Sequence, residues 1–283
     1  MVELPEAYVL AKQLTETVTG RTIAEAVANH SPHGFAFYNK PAELYGELLA
    51  GQKIVGASAG AGRSCACGGN VEIECADKLI ILSTPIRYHA PGAKRPDKHQ
   101  LFLRLDDGAY ITCTVQMWGA MMVCEKDGSD LPDNFAAAQV PEFYSDAFSF
   151  EYFQSLAEGK GKLSAKAFLA TEQRIPGLGN GVTQDILYNA KIHPKQRLDA
   201  LTPAQFRGLY DSTVSIMAAM RDSGGRDTEK DLFGKAGGYQ TKLSNKTKGQ
   251  QCPACGREII REAYLGGNIY FCPECQPYEK KKG

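Results

Sequence analysis

Three features of the sequence predict an α+β protein: an N-terminal β-sandwich domain led by one helix, then a C-terminal helical domain that ends in a metal-stapled β-hairpin. Between Thr22 and Val123, short apolar runs alternate with period two and are separated by turn residues, the pattern of strands in a sandwich. From Phe150 onward the apolar spacing becomes that of amphipathic helices. Near the end stand Cys252-Pro253-Ala254-Cys255 and Cys272-Pro273-Glu274-Cys275, two C-x2-C pairs separated by 16 residues. Four thiolates at that spacing suit a closed, structural tetrahedral zinc site. Disulfides are the competing use, and the first residues carry no export signal to favour them.

The bulk composition sets limits. The 283 residues suffice for two domains with ordinary cores plus a small appendage. A hydrophobic content of 43% with 23% charged residues describes a soluble globular chain, and no apolar run approaches the ~20 residues of a membrane span. The expectation is a cytoplasmic monomer with no membrane partner. Formal net charge is zero, so any nucleic-acid binding must use a local basic surface. The cysteines outside the quartet, Cys65, Cys67, Cys75, Cys113 and Cys124, are expected to be reduced.

In chain order, a helix is predicted from Glu6 to Val18, with Ala7, Leu10, Leu14 and Val18 on one face and Gly20 as its stop. Val2 is small, so removal of the initiator Met1 is chemically feasible. That leaves an α-amine with a pKa of about 8 beside Glu3 and Glu6, partly neutral and nucleophilic at pH 7. Val71, Ile73 and Cys75 alternate with Glu72 and Glu74 as a half-buried strand, and Lys78 to Leu82 is a short apolar strand. Leu101 to Leu105, the turn Asp106-Asp107-Gly108 and the run from Tyr110 to Val115 read as a hairpin. Gly128, Pro132 and Pro141 interrupt the stretch after Asp127. The predicted domains are therefore residues 1–132, a linker at 133–149, a helical domain at 150–245 and the finger at 246–283.

Phe150 to Glu158 and Ser164 to Glu172 are helix candidates. Ile175-Pro176-Gly177-Leu178-Gly179-Asn180-Gly181 is a Gly-rich turn opening a further helix, which aims free backbone N–H groups and a positive dipole end at an anion. A dinucleotide fingerprint would need a strand before these glycines, and the preceding segment is helical. Asn180 is expected to cap that helix. Thr202-Pro203-Ala204-Gln205 is a capping box that starts a helix running to about Arg221, ended by Gly224-Gly225. Arg226 to Tyr239 reads as a mobile polar loop. In the finger, Gly266-Gly267-Asn268 is the expected turn and Ile269-Tyr270-Phe271 the returning strand.

Taken together, the opening Met1-Val2-Glu3-Leu4-Pro5-Glu6 and the C-x2-C-x16-C-x2-C-Gln finger resemble the formamidopyrimidine-DNA glycosylase / endonuclease VIII family of base-excision repair enzymes. The resemblance covers most of the chain. It implies a helix–two-turn–helix domain, a structural zinc finger and damaged DNA as the partner. By the same resemblance, Val2 supplies the attacking amine, Glu3 handles protons at the sugar ring oxygen, Glu6 supports the site, and Asn180 grips a DNA phosphate. The implied reaction is base removal through a Schiff base at C1′, followed by strand cleavage by elimination at the abasic site. The alternative is a DNA-binding protein of the same fold, specific for damaged or single strands, with attenuated catalysis.

The chain departs from the family pattern at four places. Val stands where the family has a nucleophilic Pro. The region 60–70 lacks the family's Lys, leaving Arg63 as the replacement charge and Cys65-Ala66-Cys67 as a candidate redox or metal pair. The family's Asp-Pro-Arg-Arg-Phe-Gly wedge loop reads Thr114-Val115-Gln116-Met117-Trp118-Gly119, with Trp118 as the candidate wedge. Gly267 occupies the position of the finger's phosphate-binding Arg. Lys242, Lys246, Lys248, Arg257 and Arg261 surround the finger and are candidate phosphate contacts, Lys248 foremost.

Overall fold

The structure, a computed structural model, describes residues 2–60, 69–131 and 140–279. Its first half runs α1 (Leu4–Val18), β1 (Ile23–Ala28), β2 (Ala36–Phe37), α2 (Tyr45–Leu49), β3 (Ile54–Gly60), β4 (Asn70–Cys75), β5 (Lys78–Leu82), β6 (Ile86–His89), β7 (Leu101–Leu105), β8 (Tyr110–Cys113) and β9 (Gly119–Glu125). The strands form two sheets, ordered β1-β7-β8-β6 and β2-β9-β5-β4-β3. Every pairing is antiparallel except the short parallel ladder of β2 on β9. This is the expected sandwich. Its core joins Ile23, Ile73, Leu82, Leu103, Ile111 and Val123 to Leu10, Leu14 and Val18 of α1.

The second half runs α3 (Phe150–Ala157), α4 (Ala165–Ala170), α5 (Asn180–Asn189), α6 (Pro203–Asp222), β10 (Ile260–Tyr264) and β11 (Gly267–Phe271). Ser149 and Ser164 cap α3 and α4, and Thr202 with Gln205 forms the expected capping box of α6. Phe153, Phe168, Ile186, Leu187, Leu209, Met217 and Met220 build a second core, and Leu4 belongs to it. Helix α1 is thus shared: its first residue is sealed in the helical core and its later turns in the sandwich core. A buried leucine lost to alanine costs about 2–5 kcal/mol, so Leu4 fixes where the chain start sits relative to both halves. The sequence-predicted linker at 133–149 lies partly outside the described residues.

Several local expectations need correction. Helix α1 begins at Leu4 rather than Glu6, with Pro5 in its first turn, where a missing N–H has no intrahelical partner to lose. Glu72 is buried rather than solvent-facing. The finger turn falls at Leu265-Gly266, with φ of 51° and 70°, the two left-handed residues of a two-residue hairpin. Gly267 is already in the strand, opposite Tyr264. The segment 226–239 is docked rather than mobile. Arg226 and Leu232 are buried, Tyr88 N–H donates to Leu232 O at 2.9 Å, and Leu232 N–H donates to Gln13 Oε1 at 3.0 Å.

Candidate active site

The chain start lies in the seam between the two cores. Val2 is 7% exposed, and its N–H donates to Ser83 O at 3.1 Å. Leu4 N–H donates to Gly177 O at 2.9 Å. The approach is so close that a Cβ at Gly69 would stand 2.6 Å from the Glu3 carbonyl carbon. Only glycine admits the first turn of α1 there.

Glu3 answers the question of which anion the Gly-rich turn serves. Its carboxylate accepts from Gly181 N–H at 2.9 Å and Val182 N–H at 2.8 Å, in the first turn of α5. The N-cap residue is Gly179, without a side-chain bond. Asn180 therefore does not cap α5, because an internal carboxylate already takes the free N–H groups and the positive end of the dipole.

Arg226, which the sequence did not single out, completes the site. Its Nη1 lies 3.4 Å from Glu3 Oε2. Its Nε and Nη2 donate to the two oxygens of Glu6 at 2.9 Å each, and its backbone N–H donates to Glu6 Oε1 at 3.1 Å. This is a forked guanidinium–carboxylate pair. Burial opposes the Arg226 charge, but Glu3 and Glu6 outweigh it and hold the pKa above the usual range. Gly181 has no Cβ because one would collide with the guanidinium.

A cavity of about 180 Å³ opens beside this network, lined by Val2, Glu6, Arg87, Gln116, Thr228 and Glu229 among others. Arg87, on β6, is its half-buried cation. It donates to Asp231 O at 2.8 Å, and burial lowers its pKa. The cavity joins the chain start, the 114–119 loop and the 226–239 segment, three stretches far apart in sequence.

On the finger side, Asn180 is exposed and its Oδ1 accepts from Gln184 Nε2 at 3.2 Å. Lys166, 3% exposed on α4, donates from Nζ to Tyr264 O at 2.7 Å. A Cβ at Gly267 would lie 3.7 Å from both Lys166 Nζ and Asn180 Oδ1. The ammonium thus stands beside the place where the family's arginine would start. Burial lowers the Lys166 pKa. Sequence reading missed it because an ordinary helical lysine carries no sign of what it will face.

The cysteine quartet converges. The sulfurs of Cys252, Cys255, Cys272 and Cys275 all lie within 4.8 Å of one another and can hold a metal ion. Cys252 and Cys275 are 3.8 Å apart and Cys255 and Cys272 3.3 Å; a tetrahedron with ~2.3 Å metal–sulfur bonds has edges of about 3.8 Å. Tyr188 Oη lies 3.1 Å from Cys252 Sγ. Burial pushes the Cys252 thiol up, but Tyr188 and neighbouring backbone N–H groups outweigh it and bring the pKa to about 6. Burial and the neighbouring thiols push Cys275 up to about 12. Full deprotonation of the set calls for a bound cation. Gln276, just after the last cysteine, accepts from Cys272 N–H at 3.0 Å and donates to Ile192 O at 2.9 Å, docking the knuckle on the helical domain.

Trp118 and Lys248 do not line the cavity. Trp118 is half-buried with its ring edge-on to Phe37, centroids 6.5 Å apart. Lys248 is exposed in the turn before the first cysteine pair. Arg63, Cys65 and Cys67 lie outside the described residues, as does the Lys280–Lys282 tail. Among the described residues no helix is long and apolar enough to cross a membrane.

Fold and site together define an α+β protein with two hydrophobic cores, in which the chain start lies between them and a four-cysteine hairpin packs on the helical part. No family model matches the chain. It is 31% identical over 195 residues to the formamidopyrimidine-DNA glycosylase of Streptococcus pneumoniae serotype 4, covering 67% of this chain and 69% of that one. It is 29% identical over 294 residues to the enzyme of that name from Mycobacteroides abscessus, covering 98% of each. The Lactococcus lactis Fpg (MutM) bound to DNA containing N7-benzyl-Fapy-dG superposes with a TM-score of 0.81 at 25% identity, over 98% of this chain and 100% of that one. The chain belongs to the formamidopyrimidine-DNA glycosylase / endonuclease VIII family.

Proposed function

We propose that this protein is a base-excision repair DNA glycosylase with AP-lyase activity, acting through the nitrogen of Val2 once Met1 has been removed. The observation that carries the reading is the placement of Val2 on the wall of the cavity, with Glu6 at the same wall and Glu3 next in sequence, held by Arg226 and α5. The damaged nucleotide is extruded from the duplex at a cost of a few kcal/mol that the lesion reduces. The Val2 nitrogen lone pair forms a bond to C1′, the glycosidic bond breaks, and the base leaves with a proton. Opening of the sugar ring gives an imine to the protein, and Glu3 carries the proton to the ring oxygen. Loss of a C2′ proton then expels the 3′-phosphate by β-elimination, and water releases the amine.

Glu6 acts at one remove, holding Arg226 so that Glu3 keeps its position. Asn180 contacts the DNA backbone, with Lys166 supplying nearby charge at the hairpin tip, Lys248 a peripheral contact, and Trp118 the wedge. Arg87 and Lys230 are the cations that line the cavity itself. The four cysteines hold zinc, which supplies structure alone because four thiolates leave no open position. The protein works as a cytoplasmic monomer, at the nucleoid when bound to damaged DNA.

Incubation with abasic-site DNA and borohydride tests the reading. A covalent protein–DNA adduct is expected, falling at least a thousandfold when an added N-terminal residue blocks the amine. Measurable DNA binding with no adduct on any lesion would instead favour a non-cutting binding protein of the same fold. Gly267 and Gln116, where the family carries arginines, speak for that second reading.

A further inference from the structure

Among the described residues, the two most exposed large apolar side chains are Met117 at 73% and Phe35 at 60%, and with Phe37 at 48% they share one edge of the sandwich. Trp118 stands edge-on to Phe37. No Asp, Glu, Lys or Arg occurs from Ser31 to Asn39 or from Thr114 to Cys124, and one imidazole, His33, has its ring 6.2 Å from that of Phe35. The edge is therefore apolar, aromatic and uncharged, and water is a poor neighbour for it.

Its position gives it meaning. Val2 N–H donates to Ser83 O at 3.1 Å, Ser83 N–H to Ala120 O at 3.0 Å, and Gly119 N–H to Phe35 O at 3.0 Å. Two strand spacings of ~4.8 Å thus separate Ser83 from β2, which puts the rings roughly 10–15 Å from Val2. Gln116 of the same loop lines the Val2 cavity. The groups suited to phosphate, Asn180 and Lys166, lie with the helical domain and finger. A duplex engaged at the Val2 cavity can span that distance, since its major groove alone is ~12 Å wide.

We propose that Phe35 and Phe37, with Met117 and Trp118 beside them, form a stacking platform for the unpaired base opposite the extruded nucleotide. That base has lost its pairing partner, and a flat apolar ring takes it in any sequence. Stacking replaces the guanidinium contact that the chain lacks at Gln116, without adding charge. The proposal rests on the glycosylase reading, since an extruded nucleotide is what orphans the base.

The test is a two-by-two comparison with the full-length protein. Equilibrium binding is measured to duplexes carrying an uncleavable tetrahydrofuran abasic analogue opposite cytosine, or opposite a second tetrahydrofuran. Removing the opposite base should weaken wild-type binding roughly 5- to 150-fold, the range for one stacked base. The Phe35→Ser/Phe37→Ser variant should lose less than twofold, and Phe35→Ser alone should fall between. Equal wild-type affinity for the two duplexes would overturn the proposal, as would an undiminished loss in the double variant. So would a wild-type dimer, formed without DNA and abolished by the double variant, which would make the edge a self-association surface. Borohydride trapping by the wild type is scored separately: an adduct without opposite-base preference removes only the platform, and preference without an adduct removes only the catalytic reading.

Discussion

Cys252 and Cys275 meet across 23 positions of sequence, whereas Glu6 and Arg226 meet across 220. Both regions gather charge at short range, and they do it by different means. The finger brings its sulfurs together through two knuckles and one tight hairpin, so its geometry is local and its four thiols can hold a metal ion. Among the described residues, the network at the chain start is not one of the clusters suited to a metal ion. A guanidinium and the N-terminus of α5 neutralise two carboxylates, and two hydrophobic cores must both be intact to place them. The finger should therefore fail alone, and the network should fail only together with the fold.

The largest expected effect comes from the metal. Structural zinc contributes on the order of 10 kcal/mol or more to small cysteine sites. Cys272→Ser, or a strong chelator, should abolish hydrogen-exchange protection across 246–279 while the sandwich melts as before. Simultaneous loss of protection in α1 would break the comparison.

Next comes Arg226. Arg226→Met leaves Glu3 and Glu6 buried without their shared cation and should cost about 3–5 kcal/mol by denaturant unfolding. Arg226→Lys should recover only part, because an ammonium cannot fork to both Glu6 oxygens. A variant that loses nothing would mean that the network is solvated in solution.

Glu3→Gln tests the helix end. Gln keeps one acceptor but loses the charge, and about 1–2 kcal/mol of stability should go with it. Any fall in adduct formation well beyond that fraction unfolded measures the catalytic share of Glu3.

The last effect is confined to acid pH, a pH dependence where the finger docks. His193 packs against Phe271 and Tyr278, and its Nδ1 accepts from Lys195 N–H at 3.1 Å. Burial pulls its pKa down to about 4. In the unfolded chain it titrates near 6.5, so the unfolded state binds the proton first as pH falls. Its contribution is whole above about pH 6.5 and is lost progressively toward pH 4. His193→Asn, which keeps the acceptor, should flatten that part of the profile in denaturant melts at pH 7 and pH 5.

The elements with local causes were legible. The capping box at Thr202, the Gly224-Gly225 stop, the 101–113 hairpin and the cysteine quartet all stand as the sequence implied. In each, neighbouring residues set the backbone. The Gly-rich turn was legible as an anion site but not as to which anion, since Glu3 lies 178 positions from Gly181. Arg226 carried no mark at all: one arginine in a polar stretch looks like any other until two carboxylates close around it.

By itself the sequence determined the α+β class, the strand and helix periods, the four-cysteine finger and the family, because propensity, spacing and turn chemistry act over a few residues. Only the tertiary structure decided that α1 is shared by two cores, that Glu3 rather than Asn180 takes the end of α5, that Arg226 joins Glu3 to Glu6, and that Phe35 and Phe37 stand beside the 114–119 loop. Those facts depend on which distant surfaces exclude water from one another, and burial chooses its partners in space, where sequence distance does not count.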